Sequence, residues 1–147
     1  MRILILCTGN TCRSQMAHGF MQSFDPRLEV HSAGTRPAAQ VNPKAVLVMK
    51  EAGVDISGHT PKNVDIYLNQ EWDYVITVCG GANESCPSFT GKVANRLHIG
   101  FEDPSESVGS EQFIMSEFCR VRDLIRDRFY RLYEEISDQV ACCSSAL

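Results

Sequence analysis

The sequence predicts an α/β fold: a four-stranded parallel sheet with helices on both faces. Three observations predict it. Short apolar runs suited to buried strands alternate with helix-like segments from Arg2 to Gly100. Two of those runs lead straight into polar, cysteine-containing loops, where open parallel sheets hold their ligands. The remaining third is one long amphipathic helix.

In chain order, Arg2 to Leu6 is β-branched and leucine-rich, as expected of a central strand buried on both faces. A small polar stretch, Cys7 to Ser14, separates it from a helix-like segment, Gln15 to Phe24. Leu28 to Ala33 reads as the second strand. Asn42 and Pro43 make a helix start, Asn as N-cap and Pro in the first turn, and Gly53 supplies a stop. A shorter helix is expected over Asn63 to Asn69. Tyr74 to Val78 is a strong third strand that runs into Cys79, and Asn95 to Gly100 holds a weaker fourth. Ile114, Phe118, Val121, Ile125, Phe129, Leu132, Ile136 and Val140 recur at steps of three and four, one apolar helical stripe belonging to the core. Residues 1–140 form a single domain on this reading, and residues 141–147 a disordered tail.

A chain of 147 residues buries roughly two-thirds of its unfolded surface, so it needs no disulfide or metal to fold. Its 14 basic and 18 acidic residues argue against a general nucleic-acid-binding surface. The N-terminal apolar run, Ile3 to Leu6, is too short for a secretion signal or a membrane span, which predicts a cytoplasmic protein with no membrane partner. Seven cysteines, an odd number, do not suit a secreted disulfide framework. They are instead small buried residues, metal ligands or reactive thiols. Cys79 and Cys86 have six residues between them and no adjacent histidine, and His18, His31, His59 and His98 show no ligand spacing. No metal and no cofactor is therefore expected.

Cys7 and Arg13 bracket the strand-to-helix loop. A chain turning there aims successive backbone N–H groups inward, making a cradle for a tetrahedral oxyanion at the positive helix end. Thr8, Gly9, Asn10, Thr11, Cys12, Arg13 and Ser14 are its expected binding residues; Gly9 and Asn10 tolerate left-handed backbone. Arg13 can grip two anion oxygens with its fork, and the positive field favours Cys7 as a nucleophilic thiolate, with Thr8 and Ser14 as donors to it. The plainer alternative is a buried cysteine ending a strand and a surface arginine starting a helix.

The segment Cys7 to Ala17 resembles the active-site loop of the low-molecular-weight tyrosine phosphatase fold, and most of all its thioredoxin-coupled arsenate reductases. The resemblance continues in His31–Gly34, Val41–Ala45, Asp55–Ser57, Thr77–Cys79, Cys86–Pro87, Gly100–Pro104 and Glu117–Asp123, nearly the whole chain. It implies Asp103 as general acid, where an aspartate before proline is otherwise a common turn or cap. It implies arsenate as substrate, phosphate and sulfate as competing oxyanions, and thioredoxin or a similar thiol as reductant. Phosphatases of this fold usually follow the Asp-Pro pair with tyrosines; Ser105 and Glu106 stand here. Some members bind potassium with residues matching Asn10, Ser32 and Asp65 plus a glutamate, and His18 takes that glutamate's place.

Cys79 and Cys86 flank a glycine-containing segment able to change shape. Reduction of arsenate needs two electrons, which a thiol pair supplies, whereas ester hydrolysis needs no such pair. Catalytic roles are expected for Cys7, Arg13, Cys79, Cys86 and Asp103, in a relay from Cys7 through Cys79 to Cys86. The alternatives are a phosphotyrosine phosphatase, a phosphocysteine carrier (which generally lacks the loop arginine) or a thiol-based metal-binding module. Cys12 is expected to matter through its N–H, Cys119 as half-buried filler, and Cys142–Cys143 as an incidental pair.

Overall fold

The computed structural model describes residues 1–79 and 89–145, with side chains described through residue 138. Four parallel strands form one sheet: β1 (Arg2–Cys7), β2 (Glu29–Gly34), β3 (Trp72–Thr77) and β4 (Val93–His98), in the order β2-β1-β3-β4. Three α-helices follow or join them: α1 (Arg13–Phe24), α2 (Pro43–Glu51) and α3 (Glu111–Ser145).

β1 is central because its residues suit burial on both sides. Ile3, Leu4 and Ile5 are fully buried, and successive side chains enter different cores. Ile3, Ile5 and Cys7 join the larger core with Met16, Phe20 and Met21 of α1 and Val48 and Met49 of α2. Six residues of the predicted stripe on α3, from Phe118 to Ile136, fill the same core. Leu4 and Leu6 face the other side, against Val64, Tyr67 and Trp72. The helical cover is thus asymmetric: the three α-helices share one face, and one 3₁₀ turn (Val64–Tyr67) packs on the other.

Several boundaries shift for local reasons. α1 begins at Arg13, not Gln15, because Met16 N already donates to the Cys12 carbonyl at 2.9 Å. The helix expected over Asn63 to Asn69 is a single 3₁₀ turn, started by Asn63 Oδ1 accepting from Asp65 N at 2.9 Å. β3 starts at Trp72, whose indole N–H donates to the Tyr67 carbonyl at 3.1 Å. β4 is an edge strand with mostly exposed residues, so its apolar signal is weak and its start, at Val93, lies earlier than expected. α2 starts as expected, with Asn42 Oδ1 accepting from Lys44 N at 2.9 Å, and Gly53 follows it at φ +84°. The backbone of α3 runs through Ser145, past the expected boundary at 140.

The strand order sets the site. β1 leads through α1 to one side of the sheet, and β3 leads toward β4 on the other. The carboxyl ends of β1 and β3 therefore flank the point where the order reverses, where such sheets open a crevice. Cys7 ends β1, and Cys79 follows β3, aligned by Val78 N donating to the Leu6 carbonyl at 2.9 Å.

Candidate active site

The loop from Cys7 to Arg13 is shaped by where its carbonyl groups go. Cys7 O accepts from Thr35 N at 3.3 Å, Thr8 O from Arg36 N at 2.9 Å and Gly9 O from Ala38 N at 3.1 Å. Asn10 O accepts from Gln15 Nε2 at 3.1 Å, and Thr11 O from Asn42 N at 2.9 Å. Cys12 O takes the first helical bond. In a trans peptide each carbonyl points opposite to the next N–H, and no cis bond interrupts the described chain. The N–H groups of Thr8 to Arg13 therefore turn away from these partners, and Cys7–Arg13 line a cavity of about 320 Å³ together with Asp103 and Glu106. These residues lie at the N-terminus of α1, where a helix presents its positive end.

One residue absorbs the turn. Asn10 is fully buried at φ +54°, while Gly9 needs no positive φ. The Asn10 side chain donates to Ser14 Oγ at 2.8 Å and accepts from Lys62 N at 2.9 Å and Gln15 Nε2 at 3.1 Å. This engages both ends of its amide and fixes its backbone. Gly34, at the end of β2, is needed for a different reason: a Cβ there would overlap the Thr8 carbonyl oxygen.

Arg13 is buried at the cavity wall. Its Nη1 donates to the Phe101 carbonyl at 3.0 Å, and its Nη2 lies 3.6 Å from Asp103 Oδ2. Its Nε is the single buried side-chain nitrogen or oxygen without a hydrogen-bond partner among the described residues. A buried cationic N–H without a partner in the fold is a donor that a ligand in the cavity could satisfy. Asp103 serves two purposes at once. Its Oδ1 caps the 3₁₀ turn Pro104–Glu106, accepting from Ser105 N and Oγ at 3.0 and 2.7 Å, while Oδ2 stays beside Arg13. The turn reading and the acid reading of Asp103 are compatible.

The cysteines separate. Cys7, Cys12 and Cys79 are buried thiols of the same core. Thr8 Oγ1 lies 3.7 Å from Cys79 Sγ, so a residue 71 positions away touches the oxyanion loop. Burial first, then Asp103, raises the Cys12 thiol far above its ordinary range against the opposing pull of Arg13, so it stays protonated. Ser14 Oγ is engaged by Asn10. Cys119 is half-buried near Glu51. Cys86 and the side chains of Cys142 and Cys143 lie outside the described residues.

Sequence reasoning assigns the histidines no role, but two of them stand behind the loop. Gln15 Nε2 donates to Asn10, which leaves Gln15 Oε1 to accept from His59 Nδ1 at 2.9 Å. His18 lies against His59, ring centroids 4.5 Å apart, and its Nδ1 is 2.9 Å from Ser32 Oγ. Burial, then His59 and His31, pushes the His18 pKa down to about 3, so it is neutral in the fold. No gathered carboxylate is found here. Asn10 and Ser32 bond within the chain, and Asp65 is exposed at the Val64–Tyr67 turn. The sequence assigns no role to Glu106, Phe101, Gln15 and His59, because the Arg13–Phe101 and Gln15–His59 bonds and the place of Glu106 in the cavity lining join parts of the chain far apart in sequence.

The chain matches the family model described as low molecular weight phosphotyrosine protein phosphatase over residues 2–142. It is 45% identical to an arsenate reductase of Halalkalibacterium halodurans over 127 residues, 86% of this chain and 90% of that protein. Identity to an arsenate reductase of Bacillus subtilis is 42% over 133 residues, 90% of this chain and 94% of that protein. Among solved structures, an arsenate reductase in a phosphate-binding state superposes with a TM-score of 0.77 at 29% identity, over 92% of this chain and 98% of that one. A thioredoxin-dependent arsenate reductase of Corynebacterium glutamicum gives 0.68 at 26% identity, over 94% of this chain and 62% of that one.

Four outcomes follow from the geometry and the electrostatics. Gly34→Ala should destabilise the fold by about 2 kcal/mol or more and weaken phosphate binding, because backbone must move. Gly58→Ala, with nothing near its added carbon, should leave thermal unfolding within about 1 kcal/mol of wild type. Arg13→Lys should weaken phosphate binding at least about tenfold by calorimetry, since the charge survives but the fork does not. His18 binds a proton more readily unfolded than folded, so its contribution is present above about pH 6.5 and fades as pH falls toward 3. Denaturant titrations of His18→Gln should therefore show a shallower loss of stability across that window than wild type.

Proposed function

The chain belongs to the low-molecular-weight phosphotyrosine protein phosphatase family, and on that premise we propose that it reduces arsenate to arsenite through a relay of Cys7, Cys79 and Cys86. The observation that carries this reading is the Cys79 thiol against Thr8, beside a loop built for a tetrahedral oxyanion. Hydrolysis of a phosphate ester requires no second buried thiol there. The arsenate reductases among its relatives support the same substrate.

The steps balance as follows. Arsenate seats on the N–H groups of Thr8 to Arg13 and the Arg13 guanidinium. The Cys7 thiolate attacks arsenic, and Asp103 gives a proton to the departing hydroxyl, which leaves as water. The Cys79 thiolate then attacks Cys7 Sγ. The sulfur–arsenic bond breaks with its electron pair going to arsenic, arsenic(V) becomes arsenic(III), and a Cys7–Cys79 disulfide remains. Cys86 attacks Cys79, frees Cys7 and leaves a Cys79–Cys86 disulfide for an external dithiol. The thioredoxin-dependent relative from Corynebacterium glutamicum supports a thioredoxin-like reductant. Free thiols of this kind persist in a reducing compartment, so the protein is assigned to the cytoplasm. Among the described residues no helix is long and apolar enough to cross a membrane.

Anaerobic addition of one equivalent of arsenate to the reduced protein should consume two thiols and release arsenite. No thiol loss together with hydrolysis of an aryl phosphate would establish the phosphatase instead. Cys7→Ser should lower turnover by at least about 10³-fold. Cys86→Ser should reduce about one arsenate per molecule and stop, because no thiol remains to release Cys7. Cys79→Ser should stall earlier, with arsenic still on Cys7. Steady turnover by Cys86→Ser with thioredoxin alone, or equal bursts from both variants, would remove the relay.

A further inference from the structure

The second carboxylate at the cavity wall, Glu106, takes no part in the steps above. It lies in the same 3₁₀ turn that Asp103 caps, and both side chains line the oxyanion cavity. Asp103 is committed: Oδ1 to Ser105, Oδ2 beside Arg13. Glu106 is exposed and has neither an ion pair nor a side-chain hydrogen bond among the described residues.

The cavity is therefore divided chemically. Its floor donates, through the N–H groups of Thr8 to Arg13 and the orphaned Arg13 Nε. The rest of its lining accepts, through the carboxylates of Asp103 and Glu106. A tetrahedral anion seated on the loop N–H groups has a further oxygen to present to the rest of that lining. Arsenate and phosphate keep an O–H at neutral pH, which can donate to a carboxylate in a charge-assisted hydrogen bond. Sulfate keeps none, so its outer oxygen would share the cavity with like charge and no proton between them. A phosphate monoester carries an alkoxy or aryloxy group in place of the hydroxyl and loses the same contact.

We propose that Glu106 is a specificity-determining residue, which accepts a hydrogen bond from the outer hydroxyl of arsenate or phosphate and disfavours tetrahedral anions without an acidic proton. The inference rests on the reading of the pocket as an arsenate site, and it assigns the choice of substrate to a residue outside the cysteine loop.

Selectivity is measurable without turnover. Reduced wild-type protein is alkylated with iodoacetamide near pH 7 under rising phosphate or sulfate, and modification of Cys7 is followed by peptide mass spectrometry. Phosphate should protect Cys7 at about tenfold lower concentration than sulfate, as expected for one added hydrogen bond to a charged group. In Glu106→Gln the amide can accept from a hydroxyl or donate to a bare oxygen. The gap should therefore close to within about twofold, chiefly because sulfate protects better. An unchanged ratio, or an equal shift for both anions, would overturn the proposal; an equal shift is the mark of a general charge effect. If neither anion protects wild-type Cys7, the oxyanion reading falls and takes this inference with it. If the ratio changes as stated but arsenate is not reduced, the selectivity stands for phosphate and only the reductase reading is lost.

Discussion

The outward anchoring of six consecutive carbonyl groups, Cys7 to Cys12, is the constraint on which the rest of this site depends. A seven-residue turn has no intrinsic reason to aim its N–H groups one way. Here the irregular segment after β2 and the start of α2 supply donors from Thr35, Arg36, Ala38 and Asn42, while Gln15 and the first turn of α1 take the other two carbonyls. Peptide planarity does the remainder. The oxyanion cradle is thus a by-product of backbone hydrogen bonding on its far side. Its stiffness is that of the surrounding secondary structure.

Holding a loop this way has costs that the neighbouring side chains offset. Asn10 sits in a left-handed conformation costing about 1–2 kcal/mol for a non-glycine residue. Its fully buried amide is met by Ser14, Gln15 and the Lys62 N–H. The neutral pair His18 and His59 stands behind Gln15 and carries no charge into a partly buried space. Arg13 is the exception, because its Nε remains buried without a partner. Such a group costs stability and is retained where a ligand completes it, a familiar exchange of stability for function.

The scaffold also transmits position over long distances. Arg13 is held by the Phe101 carbonyl, and the Phe101 ring stacks on Phe129 of α3 at 6.3 Å. The apolar stripe of α3 is core, yet one of its residues packs on the residue whose carbonyl holds Arg13 at the cavity wall. Asp103 follows two residues later and accepts from Ser105, so one short segment both holds Arg13 and carries the carboxylate beside it. Cys79 arrives separately, from the end of β3.

The sequence alone determined the parallel α/β class, the Cys7-to-Arg13 loop and the α3 stripe. Each is encoded by neighbours in the chain: burial pattern, residue size and a period of three to four. Cys7, Arg13 and the cap at Asn42 were legible for that reason. The edge strand β4 was weak because an exposed strand carries little apolar pattern, and the single turn Val64–Tyr67 was overdrawn as a helix because caps look alike at both lengths. Only the tertiary structure decided what depends on separation in sequence: that Asn10, not Gly9, takes the left-handed turn, that Gly34 must lack a side chain, that Glu106 faces the cavity, and that Cys79 touches Thr8. Those contacts join residues up to 71 positions apart, and a local pattern holds no record of them until the strand order brings β1 and β3 side by side.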